Sequence, residues 1–182
     1  MRHPTRWIVG AVALVVVVFG VVLALNVGND PAADSQSSPL LDKLAPAFDL
    51  PTLAGARVTD ADLQGKYTLV NFWNTWCGPC IDELPALKEF HDAHKDDADV
   101  QMVGIVRDPN ESKPVITSYA KANGMDWTLA MDPGNKAALD FATRGQPESF
   151  LVDPSGVVRV FFYGPVTAQS LDRALAAIGR AA

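Results

Sequence analysis

The sequence predicts an α/β protein in which a central mixed sheet carries helices on both faces, preceded by an N-terminal transmembrane helix. Three observations support this prediction. Strand-like and helix-like segments alternate along most of the chain. The last segments form a β-hairpin followed by a helix, which adds antiparallel strands to a parallel β-α-β beginning. An uncharged, strongly apolar run occupies residues 7–27.

Composition narrows the class of protein before any motif is considered. The chain has 182 residues, of which 48% are hydrophobic and 20% are charged, so it is globular and not disordered. Its formal net charge of −6 argues against a nucleic-acid partner, because phosphate contacts need a basic surface. Two cysteines cannot crosslink a fold of this size. The core must therefore come from packing.

Residues 7–27 are predicted to anchor the chain in a membrane. As a helix they would span roughly 30 Å, the thickness of the hydrocarbon layer. Arg2 and Arg6 precede the run and acidic residues follow it. The positive-inside rule therefore places residues 1–6 in the cytoplasm and the residues after Gly28 on the other side of the membrane. A cleaved signal peptide is the alternative, with 22–24 as a cleavage site, although its apolar region is usually shorter.

The residues after the anchor divide into a tether and one domain. Residues 29–39 are small, polar and proline-bounded, which predicts a flexible tether over residues 28–45. Residues 46–182 are numerous enough to bury a hydrophobic core. Their patterns predict, in order, a hairpin of 50–53 and 57–59, a strand at 67–73, a helix at 79–94, a strand at 100–106, a helix at 113–123, a short strand at 127–130, a helix at 136–143, a hairpin of 150–153 and 157–163, and a last helix capped by Thr167 and ending near Gly179.

The two cysteines stand as Cys77-Gly78-Pro79-Cys80 at a predicted junction between a strand and a helix. Free N–H groups at a helix N-terminus stabilise a thiolate on Cys77 and lower its pKa. Cys80 lies one turn later and can reach Cys77 to form a disulfide. The pair is therefore predicted to exchange two electrons with another dithiol through a mixed disulfide.

Other uses of these cysteines are disfavoured. A structural disulfide across so short a loop constrains almost nothing of the unfolded chain. A zinc site is suggested by His91 and His94, but the intervening helix separates Cys80 from His91 by roughly 16 Å. We therefore predict no metal site and place both histidines on the solvated side of the helix. A peroxidatic cysteine is disfavoured because Asn74 stands where such a site has threonine.

Three segments resemble a known family. Residues 70–80, Val-Asn-Phe-Trp-Asn-Thr-Trp-Cys-Gly-Pro-Cys, resemble the active-site segment of the thioredoxin superfamily, which implies a thioredoxin-like fold. Glu83-Leu84-Pro85 is similar to the Cys-x-x-Cys-x-x-Glu-x-Pro pattern of the membrane-anchored TlpA/ResA/CcmG (DsbE) type. Residues 145–153 are similar to the Gly-x-Pro-Glu-Thr-Phe-Leu-Ile-Asp segment of the same group.

The resemblance implies an extracytoplasmic reductase that serves cytochrome c maturation. Its clients would be thiol/disulfide proteins such as apocytochrome c, and a membrane electron donor would reduce it again. It implies no cofactor beyond the redox-active Cys77–Cys80 disulfide. An oxidant that installs disulfides in secreted proteins uses the same chemistry, although Gly78-Pro79 resembles reducing thioredoxins. A binding module that holds an apoprotein without turnover is a third possibility.

The resemblance also assigns roles to individual residues. Cys77 would attack the client disulfide and Cys80 would resolve the mixed disulfide. Pro147 would be cis and face the disulfide, leaving the backbone of Gln146 to pair with an extended client, unless Pro147 is an ordinary trans turn residue. Trp76, together with Trp73, is expected to shield the disulfide.

Glu83 is the third predicted catalytic residue. It lies three positions after Cys80 and therefore on the same side of the helix. It would tune the pKa of the Cys80 thiol or relay its proton, unless it is a surface carboxylate. Asn71 occupies the strand position where ordinary thioredoxins have a buried aspartate. Because an amide cannot relay a proton, that task falls to Glu83, Glu148 or water.

Overall fold

A computed structural model describes residues 12, 14–19, 21, 38–107 and 110–179. Within the predicted anchor, the described positions 12, 14–19 and 21 are helical. The rest of the anchor, residues 1–6 and residues 28–37 of the predicted tether lie outside the described residues. Residues 38–45 were also predicted to belong to the flexible tether, but they pack on the domain, since the backbone N–H of Asp42 donates to the carbonyl oxygen of Val158 over 2.8 Å and Leu40 and Leu41 pack against the core. Among the residues that the structure does describe, no helix is both long and apolar enough to cross a bilayer.

The domain is built on a central mixed sheet. A separate antiparallel hairpin comes first, formed by β1 (Asp49–Pro51) and β2 (Arg57–Thr59). The central strands then follow as β3 (Tyr67–Trp73), β4 (Val100–Val106), β5 (Thr128–Met131), β6 (Glu148–Val152) and β7 (Val158–Tyr163). Their spatial order is β5-β4-β3-β6-β7. β3 pairs parallel with β4 and antiparallel with β6, so the predicted mixed sheet is confirmed.

Four helices accompany the sheet: α1 (Gly78–His94), α2 (Lys113–Ala122), α3 (Lys136–Asp140) and α4 (Ala168–Gly179). The predicted cap of the last helix is confirmed, since the backbone N–H of Ser170 donates to Oγ1 of Thr167. α3 is shorter than the predicted 136–143. It ends early because Ala142 adopts a left-handed backbone conformation with a φ of 54°.

Helices lie on both faces of the sheet, as predicted, but unevenly. The three longer helices contribute Leu87, Ile116 and Leu171 to one core, which also contains both cysteines. The opposite core is covered by the β1–β2 hairpin and α3 and contains Phe72 and Phe150. Because side chains alternate along β3, residues 69, 71 and 73 share the face that carries α1. That face holds the chemistry.

The expectation that His91 and His94 are solvated is wrong. Their side chains are only 17% and 13% exposed. The Nε2 atom of His91 lies 3.0 Å from Asp126, while His94 lies 2.8 Å from Asp97 and 2.9 Å from Asp172. Asp172 comes from α4 and Asp126 from the loop before β5, while Asp97 lies in the loop that directly follows α1. Within residues 38–107 and 110–179, no cluster of histidine, cysteine and carboxylate side chains is suited to a metal ion.

We predict that His94 makes stability depend on pH. Partial burial lowers the pKa of His94, but the hydrogen bonds and charges of Asp97 and Asp172 outweigh burial and raise the pKa above its usual 6.5. The resulting stabilisation is complete below pH 6.5 and is lost as pH rises through the higher folded-state pKa. Urea unfolding at several pH values should therefore show that the free energy of unfolding of wild type exceeds that of His94→Gln by more in acid than in alkali. A difference that does not change with pH would contradict this prediction.

Candidate active site

Cys77 is the N-cap residue of α1 and forms a disulfide with Cys80. The backbone N–H of Cys80 donates to Sγ of Cys77 over 3.2 Å. Pro79 occupies the first turn of the helix, where its missing N–H costs little. The sulfur of Cys77 therefore lies at the positive end of the helix dipole, where a thiolate is stabilised once the disulfide is reduced.

A proline loop faces the disulfide from before β6. The peptide bond between Gln146 and Pro147 is cis, as predicted, so an ordinary trans proline is ruled out. Sγ of Cys77 lies 3.7 Å from the carbonyl oxygen of Gln146. The side-chain oxygen of Gln146 accepts a hydrogen bond of 3.3 Å from Arg107. The loop is thus held directly against the reactive sulfur.

The two tryptophans near the disulfide differ in exposure. Trp73 is 4% exposed and packs in the same core as both cysteines. Trp76 is 60% exposed, although it immediately precedes Cys77. Trp73 therefore lies in the interior and lines the small cavity that Cys80 also lines, while the indole of Trp76 is presented at the surface.

Glu83 is buried, so the alternative of a surface carboxylate is wrong. Only 1% of the residue is exposed. Its Oε1 accepts a hydrogen bond of 2.9 Å from the Nδ2 atom of Asn71, and its Oε2 accepts one of 3.1 Å from the backbone N–H of Val166. Burial raises the pKa of Glu83 to about 7, and the hydrogen bonds from Val166 and Asn71 oppose a larger rise. Glu83 and Cys80 line one small cavity beneath the disulfide.

Asn71 positions this carboxyl. Its Nδ2 also donates to Oγ of Ser149 over 2.9 Å, which connects β3, β6 and α1. Sequence reasoning missed Ser149 and Val166, because each contacts the site from a distant part of the chain. The side chain of Glu148 leaves β6 on the same face as Phe150, away from the core that contains the cysteines. Of the two carboxylates proposed to move a proton, the structure thus brings Glu83 alone to the cavity at Cys80.

Glu111 is a further residue that sequence reasoning missed. It lies between β4 and α2, and its carboxylate accepts hydrogen bonds from Asn74 and Thr75, immediately before the active-site cysteines. No local sequence signal points to it, because the pairing joins residues 36 or 37 positions apart.

A disulfide at the start of a helix, faced by a cis-proline loop on a mixed sheet, defines a class of protein: the thioredoxin-fold thiol–disulfide oxidoreductases. The chain belongs to the AhpC/TSA family, which matches residues 41–161.

Individual relatives agree with this assignment. The chain is 39% identical over 142 residues to thiol:disulfide interchange protein HelX of Rhodobacter capsulatus, covering 76% of each chain. It is 35% identical over 135 residues to DsbE of Allochromatium vinosum, covering 72% of this chain and 71% of that one. A crystal structure of a putative DsbE from Chlorobium tepidum matches with 27% identity and a TM-score of 0.68, covering 78% of this chain and 98% of the other. The predicted thioredoxin-like fold and the resemblance to the TlpA/ResA/CcmG type are confirmed.

We predict that Glu83 makes the folded state less stable as pH rises. A carboxyl group has a usual pKa of 4.5, and burial raises that of Glu83 to about 7. The folded protein therefore holds the proton more tightly than the unfolded chain, and stability falls between these pH values. The free energy of unfolding of Glu83→Gln, relative to wild type, should rise by about 3 kcal/mol from pH 4 to pH 8. Denaturant unfolding at several pH values measures this change, and a constant difference would contradict it.

Proposed function

We propose that this protein is a membrane-anchored extracytoplasmic reductase that reduces the Cys-x-x-Cys disulfide of apocytochrome c before haem is attached. The observation that carries the proposal is the arrangement at the start of α1. The Cys77–Cys80 disulfide lies between the cis-Pro147 loop and the buried carboxyl of Glu83. The choice of client is supported by the resemblance to the TlpA/ResA/CcmG type.

The reaction begins with the reduced form of the protein. The thiolate of Cys77 is stabilised by the N–H of Cys80 and by the helix dipole. It attacks one sulfur of the client disulfide, so that a bond between Cys77 and the client forms while the client S–S bond breaks. The departing client sulfur leaves as a thiolate and takes up a proton.

Resolution then requires Cys80. Its thiol transfers a proton to the carboxylate of Glu83, and the resulting thiolate attacks Sγ of Cys77. The Cys77–Cys80 bond forms while the bond between Cys77 and the client breaks, and the second client sulfur leaves as a thiolate that takes up a proton. The client has gained two electrons and two protons, and the protein is left with the disulfide that the structure contains. A pKa of about 7 suits Glu83 for accepting and releasing this proton near neutral pH. Two electrons from a dithiol of a membrane electron donor complete the cycle.

The client lies across the proline loop. The carbonyl oxygen of Gln146 faces Sγ of Cys77, and an extended segment pairs with the backbone of Gln146 as an added strand does. Pro147 keeps this backbone turned toward the disulfide. The exposed indole of Trp76 offers the apolar surface beside it. Trp76, Gln146 and Pro147 are therefore the residues that we assign to client binding.

The membrane anchor is part of the proposal. Residues 7–27 cross the membrane once, with residues 1–6 in the cytoplasm and the domain of 46–182 held outside by the tether of 28–45. The supporting observation is the uncharged apolar run with arginines before it and aspartates after it. Such an anchor keeps the catalytic domain close to a membrane electron donor.

Two other functions make different predictions. An oxidant would run the same exchange in the opposite direction, and Gly78-Pro79 favours the reductant by its resemblance to reducing thioredoxins. A module that only binds apoprotein would not use the buried carboxyl of Glu83 or the cysteines. Covalent capture of a client separates catalysis from binding alone.

We predict that Cys80→Ala accumulates a mixed disulfide. When the reduced full chain is mixed with a peptide that carries an oxidised Cys-x-x-Cys pair, Cys77 attacks but no resolving thiol follows. Mass spectrometry under non-reducing conditions should show one peptide linked to Cys77. Cys77→Ala is the matched control and should form far less adduct, because Cys77, and not Cys80, is the N-cap sulfur that the first turn of α1 stabilises as a thiolate. Equal adducts in both variants would contradict the assigned roles, and peptide binding without any adduct would favour the binding module.

A further inference from the structure

We propose that Glu111 is a positioning residue that holds the segment before Cys77 in its reactive geometry. This inference rests on the proposed function, because it concerns the same sulfur. Oε2 of Glu111 accepts a hydrogen bond of 2.9 Å from Nδ2 of Asn74 and one of 3.2 Å from the backbone N–H of Thr75. Its Oε1 accepts a further hydrogen bond from Oγ1 of Thr75. One carboxylate thus receives three hydrogen bonds from two consecutive residues.

These bonds continue to Cys77 through the backbone. Asn74 is 1% exposed, so its position is fixed by its surroundings as well as by Glu111. Its carbonyl oxygen accepts the backbone N–H of Cys77 over 3.4 Å. Glu111 is therefore connected to the backbone of Cys77 through one residue, Asn74, which forms a hydrogen bond with each of them.

The residues on either side of Cys77 contribute little packing of their own. The indole of Trp76 is 60% exposed. Gly78 has open space where a side chain would lie. Apart from Cys77 itself, which packs in the core and contacts Gln146, the contacts that hold this segment to the rest of the fold come from Asn74 and Thr75, where Glu111 binds.

The catalytic cycle makes such an attachment necessary. In the oxidised protein the disulfide itself ties Cys77 to the first turn of α1. Reduction breaks that bond at the moment when Sγ must stay over the helix N-terminus to remain a stabilised thiolate. The hydrogen bonds to Glu111 do not involve either sulfur, so reduction of the disulfide does not itself break them. They are also charge-assisted, and such bonds are roughly twice as strong as neutral ones.

The chain provides a matched control far from the disulfide. Oδ2 of Asp62 accepts hydrogen bonds from the backbone N–H and Oγ1 of Thr59, at 2.7 and 2.8 Å. Glu111 binds the same two groups of Thr75. Asp62 lies beside Gln101 near the start of β4, whereas Cys77 follows the end of β3, so the two sites are at opposite ends of the parallel pair. Changes at Asp62 and Thr59 break a similar contact without touching the active site.

The test compares Thr75→Val and Glu111→Gln with Thr59→Val and Asp62→Asn in the full chain. The first readout is kcat/KM for reduction of a peptide with an oxidised Cys-x-x-Cys pair. The second is the rate at which iodoacetamide alkylates Cys77 in the reduced protein at neutral pH. We expect Thr75→Val and Glu111→Gln to lower kcat/KM about tenfold, as loss of a hydrogen bond to a charged group would. Thr75→Val should also slow alkylation, and both control variants should match wild type.

The outcomes separate this inference from the proposed function. Thr75→Val keeps every charge, so normal exchange and alkylation in that variant would overturn the positioning role even if Glu111→Gln were slow. An equal loss of activity in the control variants would also overturn it, because the effect would then be general destabilisation. If wild type itself fails to reduce the peptide, the proposed function is wrong. Alkylation of Cys77 needs no client, so it still decides whether Glu111 positions the thiolate.

Discussion

The active site depends on the hydrogen bonds that hold the buried carboxyl of Glu83. This carboxyl is held by the side chain of Asn71 and the backbone of Val166, so one group joins β3, α1 and the segment before α4. Burial of a carboxyl is costly unless hydrogen bonds compensate, and among the described residues the two donors that meet it are uncharged groups. The result is a group that titrates near neutral pH within the cavity that Cys80 also lines.

The topology explains why separate loops meet at one sulfur. β3 and β4 run parallel, so the residues that follow them, Cys77 and Glu111, emerge at the same edge of the sheet. β6 runs antiparallel beside β3, so Pro147, which precedes β6, arrives at that edge too. Three neighbouring strands therefore place the site residues: Cys77 follows β3, Glu111 follows β4 and Pro147 precedes β6. Sites at the carboxyl ends of parallel strands follow the same rule in other α/β proteins.

Sequence predicted the local parts of this arrangement and missed the distant ones. The strands at 67–73 and 100–106 were predictable because both are rich in β-branched, aromatic and other apolar residues, as largely buried strands are. The spacing of Cys77 and Cys80 indicated the chemistry, and the resemblance implied the cis bond at Pro147. The burial of Glu83 was ambiguous because it depends on Val166, which lies 83 residues away. The pairing of Glu111 with Thr75 and that of Asp172 with His94 have the same long-range origin.

The reduction potential of the Cys77–Cys80 pair tests most directly whether this protein donates electrons to its clients. The full chain is equilibrated with dithiothreitol buffers of defined potential, and the fractions of dithiol and disulfide are measured by alkylation and mass spectrometry. We expect a potential close to that of reducing thioredoxins, about −270 mV. A value near that of the strong extracytoplasmic oxidants, about −120 mV, would contradict a reductase and make the protein a donor of disulfides.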